Sequence, residues 1–468
     1  MNSTDLSLDF SSLPLSADLL TVVQELGYEK LTPIQAQSIP HLLAGKDLVG
    51  QAKTGSGKTA AFALPILNKI DLQERSLQAL ILCPARELAS QVVTETRKLG
   101  RRHDGLQVLA ITGGVPSRPQ ITALESGLHI AVGTPGRVLD LIQRGRMDLS
   151  KIKTLVLDEA DKMFEMGFED EIKAILKELP RTRQTAFFSA TFPETIQMLS
   201  NKHQKNPIKV TIENTQESAP QIEQFVYAAE PEDKISTLMR VLQQHPSNST
   251  IVFCNMKVDV NELAKILAEQ DISSACLHGD LDQRERDRVM AMFRNGSHRI
   301  LIATDVAARG LDIENLELVI NFDLPLQPDI YVHRIGRTGR AGRSGVAVSL
   351  ATSREALRVV EIEKFTGKKF ERRILGFKNQ HGLAKDLRES AMKTISISGG
   401  RKDKLRPGDI LGALTGEAGG LSADKVGKIE IQDRSSYVAI TASVADIAFE
   451  RLRQGRIKGK KFQVKFMK

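Results

Sequence analysis

Residues 47–59 read Asp-Leu-Val-Gly-Gln-Ala-Lys-Thr-Gly-Ser-Gly-Lys-Thr: a short apolar run, a glycine-rich loop and the start of a helix. Gly55 and Gly57 let the backbone curl until its N–H groups face inward, and the helix N-terminus adds its positive dipole end. In such a loop Lys58 can reach the β- and γ-phosphates of a nucleotide, and the Thr59 hydroxyl can hold Mg²⁺. Ala52, Lys53, Thr54, Gly55, Ser56, Gly57, Lys58 and Thr59 are therefore candidate phosphate contacts. A second acidic station lies at 155–161, LVLDEAD, where a buried strand delivers Asp158 and Glu159 to its carboxyl end. Ligands bind at that edge in open α/β sheets. One carboxylate can position Mg²⁺, and the next can orient a water and take its proton.

Outward from these stretches, short apolar runs alternate with helix-length amphipathic ones. Strands are expected at 47–51, 79–83, 108–112, 129–133, 154–157 and 185–188, several apolar throughout, as strands buried on both faces should be. Such alternation implies a parallel sheet covered by helices. The polar stretch 213–220 (ENTQESAP) breaks the pattern and reads as a linker. Strands resume at 249–254, 274–277, 300–303, 318–321 and 346–350, a second α/β lobe with no sequence repeat of the first. Residues 377–392 read as a connector, and 393–468 as a β-α-β-β-α-β unit, the ferredoxin-like arrangement. The expected domains are thus 1–212, 221–376 and 393–468.

Composition bounds the partners. The 468 residues are 41% hydrophobic and 26% charged, ordinary for a globular chain of two or three domains. No apolar run approaches the ~18 residues that span a membrane. The N-terminal MNSTDLSLDF has neither a basic patch nor an apolar core, so no secretory signal is expected and the cytoplasm is the expected compartment. Cys83, Cys254 and Cys276 are an odd, widely spaced set, which argues against disulfides or a zinc site. The net charge is +8, and residues 372–468, with 21 Lys+Arg and 10 Asp+Glu, carry +11 of it, leaving −3 for the rest. Confinement of positive charge to one end suggests an appended nucleic-acid-binding unit.

Asp158-Glu159-Ala160-Asp161 spells the signature of the DEAD-box RNA helicases, and the resemblance extends over residues 10 to about 376. It implies two RecA-like lobes with ATP between them. Phe10, Gly27-Tyr28 and Thr32-Pro33-Ile34-Gln35 look like the family's adenine-reading motif. Gln35 suits that role, since its amide donates and accepts at once. Pro84-Ala85-Arg86-Glu87, Gly113-Gly114 and Thr134-Pro135-Gly136-Arg137 resemble its RNA-contacting motifs, with Ala85 standing where the family usually has Thr. Ser189-Ala190-Thr191 matches the motif that couples hydrolysis to strand separation. In the second lobe, Gln283-Arg284-Glu285-Arg286 and Ile251–Asn255 match in part. Thr304, Gly310 and Asp312 within 303–312, and His333, Arg337 and Arg340 within 333–340, match closely. The resemblance implies RNA contacts for Pro84, Arg86, Gly114, Thr134, Pro135, Gly136, Arg137, Gln283, Arg286 and Thr304. It implies nucleotide contacts for Gly310 and Asp312, coupling for His333, and arginine fingers at Arg337 and Arg340. ATP and Mg²⁺ are the implied cofactors and RNA the implied partner.

The C-terminal unit has the strand order of an RNA-recognition motif, whose central strands normally carry stacking aromatics. Here the first strand has none and the third keeps only Tyr437. The basic residues lie elsewhere: Arg401, Lys402, Lys404 and Arg406 after the first strand, and a second group at 451–461. This suits a folded RNA read by backbone and shape. A helicase core followed by such a domain resembles bacterial helicases that target 23S ribosomal RNA during large-subunit assembly, which implies ribosomal precursors as partners; the sequence does not set the oligomeric state, and a monomer is favoured. Two alternatives remain open at the level of sequence. One is a general helicase of messenger RNA metabolism with a non-specific basic anchor; the other is an RNA-binding clamp with a vestigial ATPase.

Overall fold

The computed structural model describes residues 9–53, 55–212, 222–308, 316–339, 344–374, 390–416 and 420–467. The expected linker 213–220 and most of the expected connector 377–392 lie outside these residues. The chain divides into two compact units, one of residues up to Ser218 and one holding the rest of the described chain.

In the first unit the strands are β1 (Leu48–Gln51), β2 (Ala79–Leu82), β3 (Val108–Ile111), β4 (Ile130–Gly133), β5 (Thr154–Asp158), β6 (Gln184–Ser189) and β7 (Ile208–Thr211). They form one parallel sheet in the order β3-β4-β2-β5-β6-β1-β7. Side-chain alternation sends Leu80, Leu82, Leu155, Leu157 and Phe187 into the core on one face, and Ile81, Val156, Ala186 and Phe188 into the core on the other. A sheet buried on both faces is what the continuous apolar runs require.

The second unit begins with β8 (Ile222–Ala228), β9 (Thr250–Phe253), β10 (Ser274–Leu277), β11 (Ile300–Ala303), β12 (Leu318–Asn321), β13 (Gly345–Ala351) and β14 (Glu371–Arg373). These are again all parallel, in the order β10-β11-β9-β12-β13-β8-β14. Counted from each lobe's own first strand, the two orders are identical. The lobes therefore repeat one fold without repeating a sequence, as two RecA-like lobes do.

The same unit ends in a small antiparallel sheet, β16-β17-β15-β18, from β15 (Met392–Ile397), β16 (Val426–Ile431), β17 (Ser436–Thr441) and β18 (Val464–Phe466). Helices Pro407–Thr415 and Ala445–Gln454 follow β15 and β17. That completes the ferredoxin-like order read from the sequence. Among the described residues no helix is long and apolar enough to cross a membrane.

Candidate functional site

In a parallel sheet every strand ends at one edge, so the loops after β1, β5 and β6 converge, because β5, β6 and β1 are neighbours. After β1 comes the glycine loop, with Thr54 alone outside the described residues. Gly57, at φ +92°, caps helix Lys58–Lys69, a conformation that L side chains rarely adopt. Lys58 is 6% exposed, and its Nζ donates to the Ala52 carbonyl at 3.1 Å, inside its own loop. Ser56 Oγ is buried with no hydrogen-bond partner, and Thr59 follows Lys58 in the first helical turn.

After β5, Asp158 is 3% exposed and its Oδ1 is buried without a hydrogen-bond partner. Burial pushes its carboxyl up to about 7; the Lys58 ammonium pulls the other way, while Glu159 adds to the rise. Glu159 sits in the left-handed region at φ 53°, a position uncommon for a residue with a side chain. This outlier at a strand end is where backbone strain is found in functional turns. Asp161 turns back toward β6. Its Oδ2 accepts from the Thr191 N–H at 2.9 Å and from Thr191 Oγ1 at 3.0 Å, and its own N–H donates to Ser189 Oγ at 3.1 Å. Burial raises the Asp161 carboxyl, yet the Thr191 N–H, the Lys162 charge and the hydroxyls of Ser189 and Thr191 outweigh it and hold it below its ordinary value. The acidic turn and the Ser189-Ala190-Thr191 turn are thus tied by side chains.

The adenine-reading candidates join the same edge. Gln35 Oε1 accepts from the Thr32 N–H at 2.9 Å and its Nε2 donates to the Gly57 carbonyl at 3.1 Å. One amide therefore spans from its own helix cap to the phosphate loop. Tyr28 is half-buried; its ring stacks on Phe10 at 5.9 Å and its hydroxyl donates to Glu95 at 2.5 Å. Its face is thus engaged within the protein, which the sequence reading did not anticipate.

The other half of the edge, after β2, β4 and β3, carries the first-lobe RNA candidates. Arg86 opens helix Arg86–Leu99, whose N-cap is Ala85 without a side-chain cap. The Arg86 guanidinium lies over Gly114 (φ +68°), where a Cβ would run into it, and Arg86 Nη1 is buried without a hydrogen-bond partner. Pro84 precedes it. Thr134 caps helix Pro135–Gln143, and Arg137, one residue past Gly136, donates to the Val115 carbonyl and to Gln120 Oε1. Two helix N-termini and a partly buried guanidinium on one edge form an anion-attracting surface.

In the second lobe Gln283 opens helix Gln283–Arg294, Arg286 Nη2 donates to the Ala307 carbonyl at 3.0 Å, and Thr304 follows β11, buried. These three come together after neighbouring strands. His333 lies on helix Pro328–Ile335 and Arg337 in the turn beyond it. Gly310, Asp312 and Arg340 lie outside the described residues.

Sequence reasoning missed Arg334. It is 1% exposed and bonds Asp305 through both carboxylate oxygens at 2.7 Å, Asn255 Oδ1 at 2.8 Å, Asn321 Oδ1 at 3.2 Å and the Asp323 carbonyl at 2.6 Å. It knits the turns after β9, β11 and β12. The signal was present: an arginine two residues before the glycine of a buried helix end must be paired with something.

In the C-terminal domain Arg401, Lys402, Lys404 and Arg406 form a loop whose backbone bonds the β16–β17 hairpin, through Arg401 N–H to the Gln432 carbonyl and Lys402 N–H to the Asp433 carbonyl. Lys458 Nζ reaches the Lys404 carbonyl at 3.0 Å. Three loops thus form one basic edge. Tyr437 is only 7% exposed.

Comparison with known proteins agrees with this geometry. Residues 32–199 match the family model "DEAD/DEAH box helicase", 233–342 "Helicase conserved C-terminal domain" and 394–466 "DbpA RNA binding domain". The chain is 46% identical to the ATP-dependent RNA helicase DbpA of Escherichia coli K12 over 96% of this chain and 97% of that protein. It is 39% identical to DbpA of Bacillus subtilis strain 168 over 97% of this chain and 98% of that one. Among solved structures, S. cerevisiae Dbp5 bound to RNA and ADP BeF3 superposes with a TM-score of 0.70 at 33% identity, over 78% of this chain and 96% of the chain in that structure. The chain therefore belongs to the DEAD-box family of ATP-dependent RNA helicases, of the kind that carries a DbpA RNA-binding domain.

Proposed function

We propose that this helicase grips 23S ribosomal RNA through its C-terminal domain and unwinds neighbouring duplex during assembly of the large ribosomal subunit, in the cytoplasm. The basic edge of that domain carries the reading: Arg401, Lys402, Lys404 and Arg406 next to Lys458, with the sheet's one central-strand aromatic buried. A basic edge without stacking aromatics suits a folded RNA held by backbone and shape. Three unpaired cysteines accord with a reducing compartment.

In the ATP site, Lys58 leaves the Ala52 carbonyl to hold the phosphates. Gln35 and the Tyr28–Phe10 pair frame the base. Glu159 orients the attacking water, and its carboxylate accepts the proton as water adds to the γ-phosphorus and the bond to ADP breaks. Asp158 and Thr59 fit Mg²⁺, a hard cation that takes oxygen ligands: Asp158 Oδ1 is a buried carboxylate oxygen with no other partner. Held by Asp158 and Thr59, such an ion would supply positive charge to the nucleotide's phosphates. Arg337 and Arg340 supply the second lobe's positive charge to the transferring group. His333 and the Asp161–Thr191 link relate the nucleotide's state to RNA held by Pro84, Arg86, Gly114, Thr134, Pro135, Gly136, Arg137, Gln283, Arg286 and Thr304.

The test is ATPase stimulation by a 23S ribosomal RNA fragment against an unrelated RNA of equal length. Activation at a much lower concentration of the ribosomal fragment is expected. Equal activation would favour a general helicase. Glu159→Gln should abolish turnover with either RNA while nucleotide still binds.

A further inference from the structure

The C-terminal domain meets the second lobe through its sheet. Its helices cover the sheet face that carries Ile395, Ile397, Val438 and Ile440. By alternation the opposite face carries Met392, Thr394, Tyr437 and Ala439. That face is buried as well: Thr394 and Ala439 are each 1% exposed. What reaches it is the turn ending helix Gln283–Arg294. Ser297 Oγ and Thr394 Oγ1 lie 2.6 Å apart, and Asn295 Nδ2 donates to Thr394 Oγ1 at 3.3 Å. Ser390 Oγ donates to the Gly296 carbonyl at 2.6 Å. Met392 lies across Gly427, where a Cβ would come within 2.6 Å of its Cε.

At the edge of this face Arg294 grips Glu430, which stands directly across from Tyr437. Arg294 Nε donates to Oε1 and Nη2 to Oε2, both at 2.8 Å, and the two side chains are 27% and 15% exposed. A two-point fork between a guanidinium and a carboxylate fixes orientation as well as distance, which an ammonium cannot do.

We propose that helix Gln283–Arg294 is a strut shared by the core and the C-terminal domain, with Arg294 and Glu430 the positioning residues that hold anchored RNA in register with the core. The proposal rests on the reading of the C-terminal domain as the RNA anchor. The helix is ~18 Å long at 1.5 Å per residue. It starts at Gln283 and Arg286, assigned above to RNA, and ends in the fork. A flexible tether raises only the local concentration of duplex near the core, whereas a strut also sets its orientation. Loss of the fork should therefore spare affinity and damage presentation.

The test uses the full chain and a 23S ribosomal RNA fragment carrying a hairpin with a labelled strand annealed beside it. Arg294→Ala and Glu430→Ala should bind the fragment within about twofold of wild type, because neither contacts RNA, yet unwind the strand about tenfold more slowly at saturating ATP and RNA. Arg294→Lys should share the defect, since it keeps the charge and loses the fork. The swap Arg294→Glu with Glu430→Arg should recover most of the rate, which separates positioning from misfolding. An Arg294→Ala chain that unwinds as fast as wild type overturns the proposal. A wild-type chain that binds the fragment no better than unrelated RNA overturns the anchor reading instead. The strut is then judged by energy transfer between dyes at Lys265→Cys and Asp446→Cys. A transfer distribution that broadens in Arg294→Ala supports it, and an unchanged one overturns it.

Discussion

Two side chains set the chemistry of the first lobe's edge in opposite ways. Gln35 bonds both Thr32 N–H and the Gly57 carbonyl, so the adenine motif and the phosphate loop share one amide. Gln35→Ala should therefore do two things at once: relax the preference for ATP over GTP and weaken binding of any nucleoside triphosphate by freeing the loop. Competition binding with both nucleotides separates the two, and unchanged GTP discrimination would remove Gln35 as the reader. Asp158 is held by burial instead. Its carboxyl stands at about 7 against an ordinary 3.8, so between those values the folded protein keeps a proton that the unfolded chain has lost. Stability then falls as pH rises through that window, and the penalty is complete above about 7. Asp158→Asn should accordingly stabilise the nucleotide-free protein at pH 8, by an upper bound of about 4 kcal/mol at 1.36 kcal/mol per pKa unit, and should confer nothing below about pH 4. Thermal melts of both proteins across that range check the sign. The sequence identified both residues, because each belongs to a contiguous motif. Neither the Gln35 bridge to Gly57 nor the engagement of Tyr28 by Phe10 and Glu95 could be read from it, since both join separated segments.

At the scale of elements, apolar strands were legible even at an edge, as β3 and β10 show, while the more polar strands on the other side of each sheet were not. The runs at β2, β5 and β9 are buried throughout. The strands that sequence reading missed lie at or next to the sheet edge: β7, where one residue of four is buried; β14, which is Glu-Arg-Arg; and β8, which falls just after the polar break. An edge strand has solvent on one side and needs no apolar pattern. The last strand of the expected β-α-β-β-α-β unit is short, Val464–Phe466, since the residues before it carry the exposed basic loop. What joins the strands of the second lobe is Arg334, which serves three strand ends through Asp305, Asn255 and Asn321. Arg334→Ala would leave those partners facing an unfilled site. A loss of about 3–5 kcal/mol is expected, on the scale of breaking a buried pair by removing one member. Denaturant titration checks it, and a loss below about 1 kcal/mol would mean that the network is dispensable.

For the molecule as a whole, charge and docking divide the labour. Residues 372–468 carry +11 and the rest of the chain −3, so the helicase core has little long-range pull on RNA. The sheet face of the C-terminal domain is spent on the second lobe, through Thr394 and Glu430, and its basic edge is the surface proposed for RNA. Truncation after Gly376 should thus leave a core that hydrolyses ATP when any RNA is abundant, while activation by ribosomal RNA at low concentration disappears. With fewer phosphates neutralised, the salt dependence of binding should also flatten, by a slope of about 0.7–0.9 for each phosphate released. Neutralising Arg401, Lys402 and Lys404 together should reproduce part of that flattening without disturbing the docked face, because their loop bonds the β16–β17 hairpin through backbone groups alone. Tyr437→Ala should act differently: the side chain is buried, so the variant should lose stability and keep the salt slope. Titrations of ATPase activity against ribosomal and unrelated RNA at two salt concentrations distinguish these outcomes. A truncated core still activated by ribosomal RNA at the concentration that suffices for the full chain would place selectivity in the lobes. A Tyr437→Ala chain that stays folded but loses selectivity would place it on the sheet, and the basic edge would then be no more than a solvated rim.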